Sequence, residues 1–218
     1  GGHMHPMAGA IALFAHGDFL LVESGYPRKK TIYENTLLVN GHGQIGEGGD
    51  WFEDLEFRRG HATPRMIEVG SRKGVDYAIG DATAAYLPAA RLKRFIRRVY
   101  RLSPDAWLID DDVEAARPST FTLLFHGDQP FTAAADREFE QRGTRGMLRI
   151  HALAPSAIQC HTGLQTLEGM GTPQRSRTLG LLQISNARKV RKTRFLTLLR
   201  AYPAGTQPTP DTIAPKPV

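Results

Sequence analysis

The 218-residue chain has a single cysteine, Cys160. That excludes an intramolecular disulfide and any thiolate metal cluster within one chain. No apolar run approaches the ~20 residues that cross a bilayer as a helix. Helical periodicity is scarce too, and only 81–91 can hold a turn or two. Few aromatics interleave with the basic runs Arg91–Arg101 and Arg188–Arg194, and no nucleic-acid motif is present, so nucleic-acid binding is a weak reading. Position 1 is not methionine, and no secretory signal opens the chain. The opening Gly1-Gly2-His3-Met4-His5-Pro6 reads as part of a longer protein or, at Gly-His-Met, as an expression remnant.

What is present is turn-forming and basic. There are 22 glycines and 14 prolines, and 28 basic residues against 22 acidic give a net charge of +6. The charge suits an acidic partner, but the basic runs themselves read as solvated strand faces. Apolar and polar residues alternate with period two almost throughout, as strands with one buried face require. Residues 10–22 read as strand, His16-Gly17-Asp18 turn, strand, with positive φ at Gly17 and Asp18. Residues 36–39 form a short strand closed by Asn40-Gly41. Five glycines between 41 and 49 mark a loop. Further strands are expected at 62–69, 76–80, 94–100, 107–113, 121–126, 131–139, 146–153, 157–161, 179–185 and 195–201, with 94–100 and 107–113 paired as a hairpin. Twelve or more short strands predict an all-β fold, a large antiparallel sandwich of two sheets or a supersandwich. It occupies 1–204, and 205–218, with four prolines, reads as a tail.

Chemistry concentrates in three places. His3 and His5 share a face if their segment is extended. Glu23 ends the second strand of the first hairpin. Glu34 precedes Asn35-Thr36, and His42 and Gln44 follow in the glycine loop. One imidazole with two carboxylates is a known zinc ligand set that also tolerates harder cations. His16 reads as a solvated turn residue. His61, His126, His151 and His161 are scattered and read as satisfied or exposed.

Taken in order, His3-Met4-His5-Pro6, Leu21-Val22-Glu23-Ser24-Gly25-Tyr26 and Glu34-Asn35-Thr36-Leu37-Leu38-Val39-Asn40-Gly41-His42-Gly43-Gln44, extended by Gly46-Glu47-Gly48 and Trp51-Phe52, resemble the C-terminal β-sandwich domain of the heparinase II/III-like polysaccharide lyases. The resemblance is dense over 1–52 and diffuse beyond. It implies β-elimination from a uronic-acid-containing acidic polysaccharide, with His3 at the substrate as the catalytic residue of this domain and with His42 and Gln44 binding substrate. It implies a zinc held at His5, Glu23 and Glu34. Glu23 stands where the family has Asp and Glu34 where it has His, so metal charge and geometry both change. The resemblance further implies an N-terminal α/α toroid that supplies a tyrosine and another histidine, without which this chain lacks turnover, and a periplasmic or secreted location. A non-catalytic carbohydrate-binding or structural module with a degenerate metal site is the alternative.

Overall fold

A computed structural model describes residues 5–25, 29–47, 63–169 and 176–208, and most of the period-two stretches within them are strands. The described residues hold fourteen strands: β1 (Leu13–Ala15), β2 (Asp18–Leu21), β3 (Leu37–Val39), β4 (Arg65–Arg72), β5 (Val75–Asp81), β6 (Leu92–Ser103), β7 (Ala106–Ser119), β8 (Phe121–Gly127), β9 (Phe131–Ala135), β10 (Glu138–Arg142), β11 (Gly146–Ala154), β12 (Ile158–Leu167), β13 (Arg177–Asn186) and β14 (Val190–Pro203). Among the described residues there is no α-helix, and no helix long and apolar enough to cross a membrane. Single 3-10 turns at Thr83–Ala85 and Pro88–Ala90 fall where the sequence allows helical turns.

The strands form an eight-stranded antiparallel sheet in the order β4-β5-β6-β7-β14-β11-β10-β9 and a four-stranded one in the order β12-β13-β8-β3, with β1-β2 as a separate hairpin. One apolar cluster joins the two larger sheets. Phe95, Ile109 and Phe195 enter it from the first, and Leu37, Phe121, Phe125 and Leu182 from the second. Burying each such side chain contributes roughly 1.5–3 kcal/mol, which is why the alternation fixes which face points inward. The expected all-β sandwich is therefore the fold.

The turns explain two departures from the sequence reading. In the first hairpin, positive φ falls at His16 (52°) and Gly17 (83°), not at Asp18. Asp18 instead begins β2, and its carboxylate accepts the Arg145 and Gly146 amides at 2.6 and 2.9 Å. Asn40-Gly41 and Lys73-Gly74 make the same left-handed pair, which at Lys73-Gly74 matches the twist of β4 and β5. Residues 131–139 are not one strand. The chain turns at Asp136-Arg137, with Arg137 at φ 60°, to separate β9 from β10. His3, Tyr26, Gly48, Trp51, Phe52, His61 and the tail beyond 208 lie outside the described residues.

Candidate functional site

The segment 5–12 crosses the sandwich without joining a sheet, so its backbone polar groups need side-chain partners. They find them in the resemblance motif. The Gln44 amide accepts from Ala8 N at 2.8 Å and donates to Ala8 O at 2.9 Å. Thr36 Oγ1 donates to the same carbonyl at 2.8 Å. Asn35 Nδ2 donates to Ile11 O and Val22 O, both at 2.8 Å, while its Oδ1 accepts the His126 amide at 2.6 Å. Gly9, at φ 74°, lies against the Phe95 ring, where a Cβ would stand 3.4 Å from it.

One buried arginine closes the clamp. Arg97 on β6 makes a two-pronged pair with Asp111 on β7 at 2.7 and 2.9 Å. Its Nη1 donates to Gly9 O at 2.7 Å and Asn35 O at 2.9 Å. The sequence reading placed this basic run on a solvated face. The structure corrects that for Arg97, which shares the inward pleat with Phe95 and is 4% exposed.

This clamp brings His5, Ser24 and Glu34 together. Glu34 is 2% exposed. Its Oε1 accepts the Ser24 hydroxyl at 2.7 Å and lies 3.4 Å from His5 Nδ1. Burial pushes the Glu34 carboxyl up, the Ser24 hydroxyl and His5 draw it back, and the charge of Glu23 adds to the rise. Glu23 itself is exposed. The corner thus holds an acid, an imidazole and a hydroxyl within proton-exchange distance, beside a second carboxylate facing water.

The other expected site residues are placed differently. His42 is exposed on the turn after β3, its backbone bridged to Val39. Gln44 is 1% exposed, and its amide is engaged by Ala8 and by the Tyr86 hydroxyl. The resemblance implies zinc at His5, Glu23 and Glu34. In the structure Glu34 Oε1 takes the Ser24 hydroxyl and lies 3.4 Å from His5 Nδ1, and Glu23 is exposed. Among the described residues no three His, Cys, Asp or Glu side chains converge. Tyr86 is buried, donates to Leu37 O at 2.5 Å, and has its phenol pushed far up by burial, which closes it to a base role.

Sequence reading did not single out Ser24, Arg97 and Asp111. Arg97 could have been found from its place on the same pleat face as Phe95 and Val99. Replacing Gln44 by alanine removes both bonds to Ala8, and the expected cost is about 1–3 kcal/mol in urea unfolding with faster amide exchange at Ala8. Unchanged exchange there would show that the clamp does not depend on Gln44.

The heparinase II/III-like, C-terminal family matches residues 1–195. Among solved structures, the chain is similar to heparan sulfate lyase HepC from Pedobacter heparinus, with a TM-score of 0.74 at 11% identity, over 95% of this chain and 32% of that one. It is similar to a heparinase III with a TM-score of 0.72 at 12% identity, over 93% of this chain and 31% of that one. The chain spans about a third of the length of these structures, and at such identities the likeness is one of fold alone. The family match covers the clamped segment, the corner and most of the sandwich behind them: this chain belongs to the heparinase II/III-like C-terminal family.

Proposed function

We propose that the chain is the β-sandwich part of a polysaccharide lyase that cleaves uronic-acid-containing acidic polysaccharide by β-elimination, working with an N-terminal α/α toroid. The observation that carries this reading is the His5–Ser24–Glu34 corner, held against the sandwich by Gln44, Thr36 and Arg97. In the reaction, a base removes the C5 proton of a uronate. The electron pair forms the C4–C5 double bond, the C4–O bond breaks, and the leaving glycosidic oxygen takes a proton. Neutralising the uronate carboxylate stabilises the developing charge.

The corner's role in this reading is to position and discharge. Glu34 fixes the His5 ring through Nδ1, as a carboxylate commonly orients an imidazole. His3, two residues before His5, is assigned the substrate contact by the resemblance, and His42 stands exposed on the loop beside β3. Gln44 holds the segment's backbone at Ala8. The net charge of +6 steers a polyanion toward the protein. The family resemblance adds a periplasmic or secreted location to this reading.

A second reading is a carbohydrate-binding or structural module without catalysis. The inward-turned Glu34, engaged by Ser24 where the family has a histidine, favours it. Elimination creates an unsaturated uronate that absorbs in the ultraviolet, so one assay separates the two. The chain joined to its toroid should generate that absorbance on a uronate polymer such as heparan sulfate or hyaluronan, and the 218-residue chain alone should not. Turnover by the chain alone contradicts the need for the toroid. Silence of the joined protein on every uronate polymer tried leaves the module reading.

A further inference from the structure

The edge of the eight-stranded sheet carries two partly exposed tyrosines that the corner does not use. Pleating puts Glu68, Gly70 and Arg72 of β4, Tyr77 and Ile79 of β5, and Tyr100 of β6 on one side, because Gly70 and Tyr100 both pair with Tyr77 and Glu68 pairs with Ile79. That side faces away from the core, since Tyr100 alternates with the inward Phe95 and Arg97. The rings of Tyr77 and Tyr100 lie 6.4 Å apart and tilted by 45°. A groove of about 600 Å³ opens over them, lined by Glu68, Arg72, Ile79 and both rings.

The Tyr77 ring is held in place. It lies across Gly70, where a Cβ would come 2.9 Å from its hydroxyl and 3.1 Å from Cζ. Its phenol donates to Glu68 Oε1 at 2.5 Å. A ring fixed over a glycine keeps one face on the sheet and offers the other to solvent. The apolar C–H face of a pyranose stacks on such a surface, and its hydroxyls and acid groups then lie level with the rim. There, Glu68 accepts hydroxyl protons and Arg72 presents a guanidinium fork that fits a uronate or sulfate group.

We propose that the Tyr77–Tyr100 groove is a saccharide-binding surface for acidic oligosaccharide segments, separate from the His5–Glu34 corner. It rests on the acidic-polysaccharide class proposed above, but it requires no turnover. Ala82, against which Gly9 packs, lies just past the end of β5, five residues from Tyr77, about 17 Å or less at the rise of an extended strand. The groove lies on the outward face of the sheet whose inward face carries Arg97 and the segment it holds, so it is not part of the corner.

The test is affinity electrophoresis of the 218-residue chain in gels containing heparan sulfate, hyaluronan or neutral dextran. The wild-type chain should be retarded by the acidic polymers and not by dextran. Tyr77→Ala should weaken that binding about tenfold, the size of one aromatic stacking contact. Tyr77→Phe should stay within about twofold, and Gly70→Val, which displaces the ring, should behave like Tyr77→Ala. Arg72→Gln, on the exposed rim, serves if the Tyr77 variants fail to fold, and it should weaken retardation several-fold on the sulfated polymer. Equal binding by Tyr77→Ala or, where it does not fold, by Arg72→Gln overturns the proposal. So does a loss of self-association in Tyr77→Ala without a loss of glycan binding, which would make the groove a contact between copies of the chain. A wild-type chain that binds no acidic polymer overturns the groove and leaves elimination standing, because elimination is read from unsaturated product. Binding through Tyr77 in a protein that forms no product keeps the groove and removes elimination.

Discussion

Asp111→Ala should cost about 3–5 kcal/mol, on the order of 10 °C in thermal unfolding for a chain of this length. Asp111 is fully buried and Arg97 nearly so. Their two bonds, together with the carbonyls of Gly9 and Asn35, engage the guanidinium on several sides. Removing the carboxylate leaves a cation in the interior with only two carbonyls. The loss is then set by the uncompensated charge and not by the worth of the pair. Changing both members together, Arg97→Met with Asp111→Leu, should recover much of it, because no charge remains buried. The double variant should still loosen segment 5–12, since Gly9 O loses its donor, and hydrogen exchange at residues 8–11 would show this. A loss below about 1 kcal/mol in Asp111→Ala would mean that water reaches Arg97.

Acid should unfold the protein earlier than its carboxylates require, and His126 is the cause. The ring is fully buried on β8, with Nδ1 3.2 Å from Asn35 Oδ1. Burial lowers its pKa from 6.5 to about 4, opposed by the Ile32 carbonyl. Between those values the unfolded chain holds a proton that the folded chain does not. Stability therefore falls as pH drops through 6.5 and has lost its full share below 4, a difference of about 3 kcal/mol. His126→Gln keeps a donor toward Asn35 and cannot be charged. Urea unfolding at pH 7 and at pH 4.5 should show a large difference for the wild-type chain and a much smaller one for the variant. A difference as large in the variant as in the wild type would place the acid sensitivity elsewhere.

These two positions also show where sequence reading reached and where it stopped. The sandwich was legible because alternation, Asn40-Gly41 and the hairpin of 94–100 with 107–113 are local signals. The β9–β10 turn was not, because Asp136-Arg137 carries neither glycine nor proline and a left-handed arginine leaves no compositional mark. His5, Glu23 and Glu34 were legible as a neighbourhood through the motif. Their arrangement was not, because it depends on Ser24 capturing Glu34 and on Arg97 drawing two loops onto the sheet. Those contacts join residues up to 88 positions apart, beyond the reach of any spacing rule. Tyr77 and Gly70 were within reach of a pairing argument, but only once the register of β4 on β5 was known.

The account turns on the corner facing a polymer that it helps to cleave. The direct measurement is the rate of unsaturated-uronate formation by the chain joined to its toroid, comparing wild type with His5→Ala and Glu34→Ala variants whose folding is verified by circular dichroism. Absorbance should grow for wild type, and kcat should fall about 100-fold or more for each variant. Folded variants that form product at the wild-type rate would contradict it.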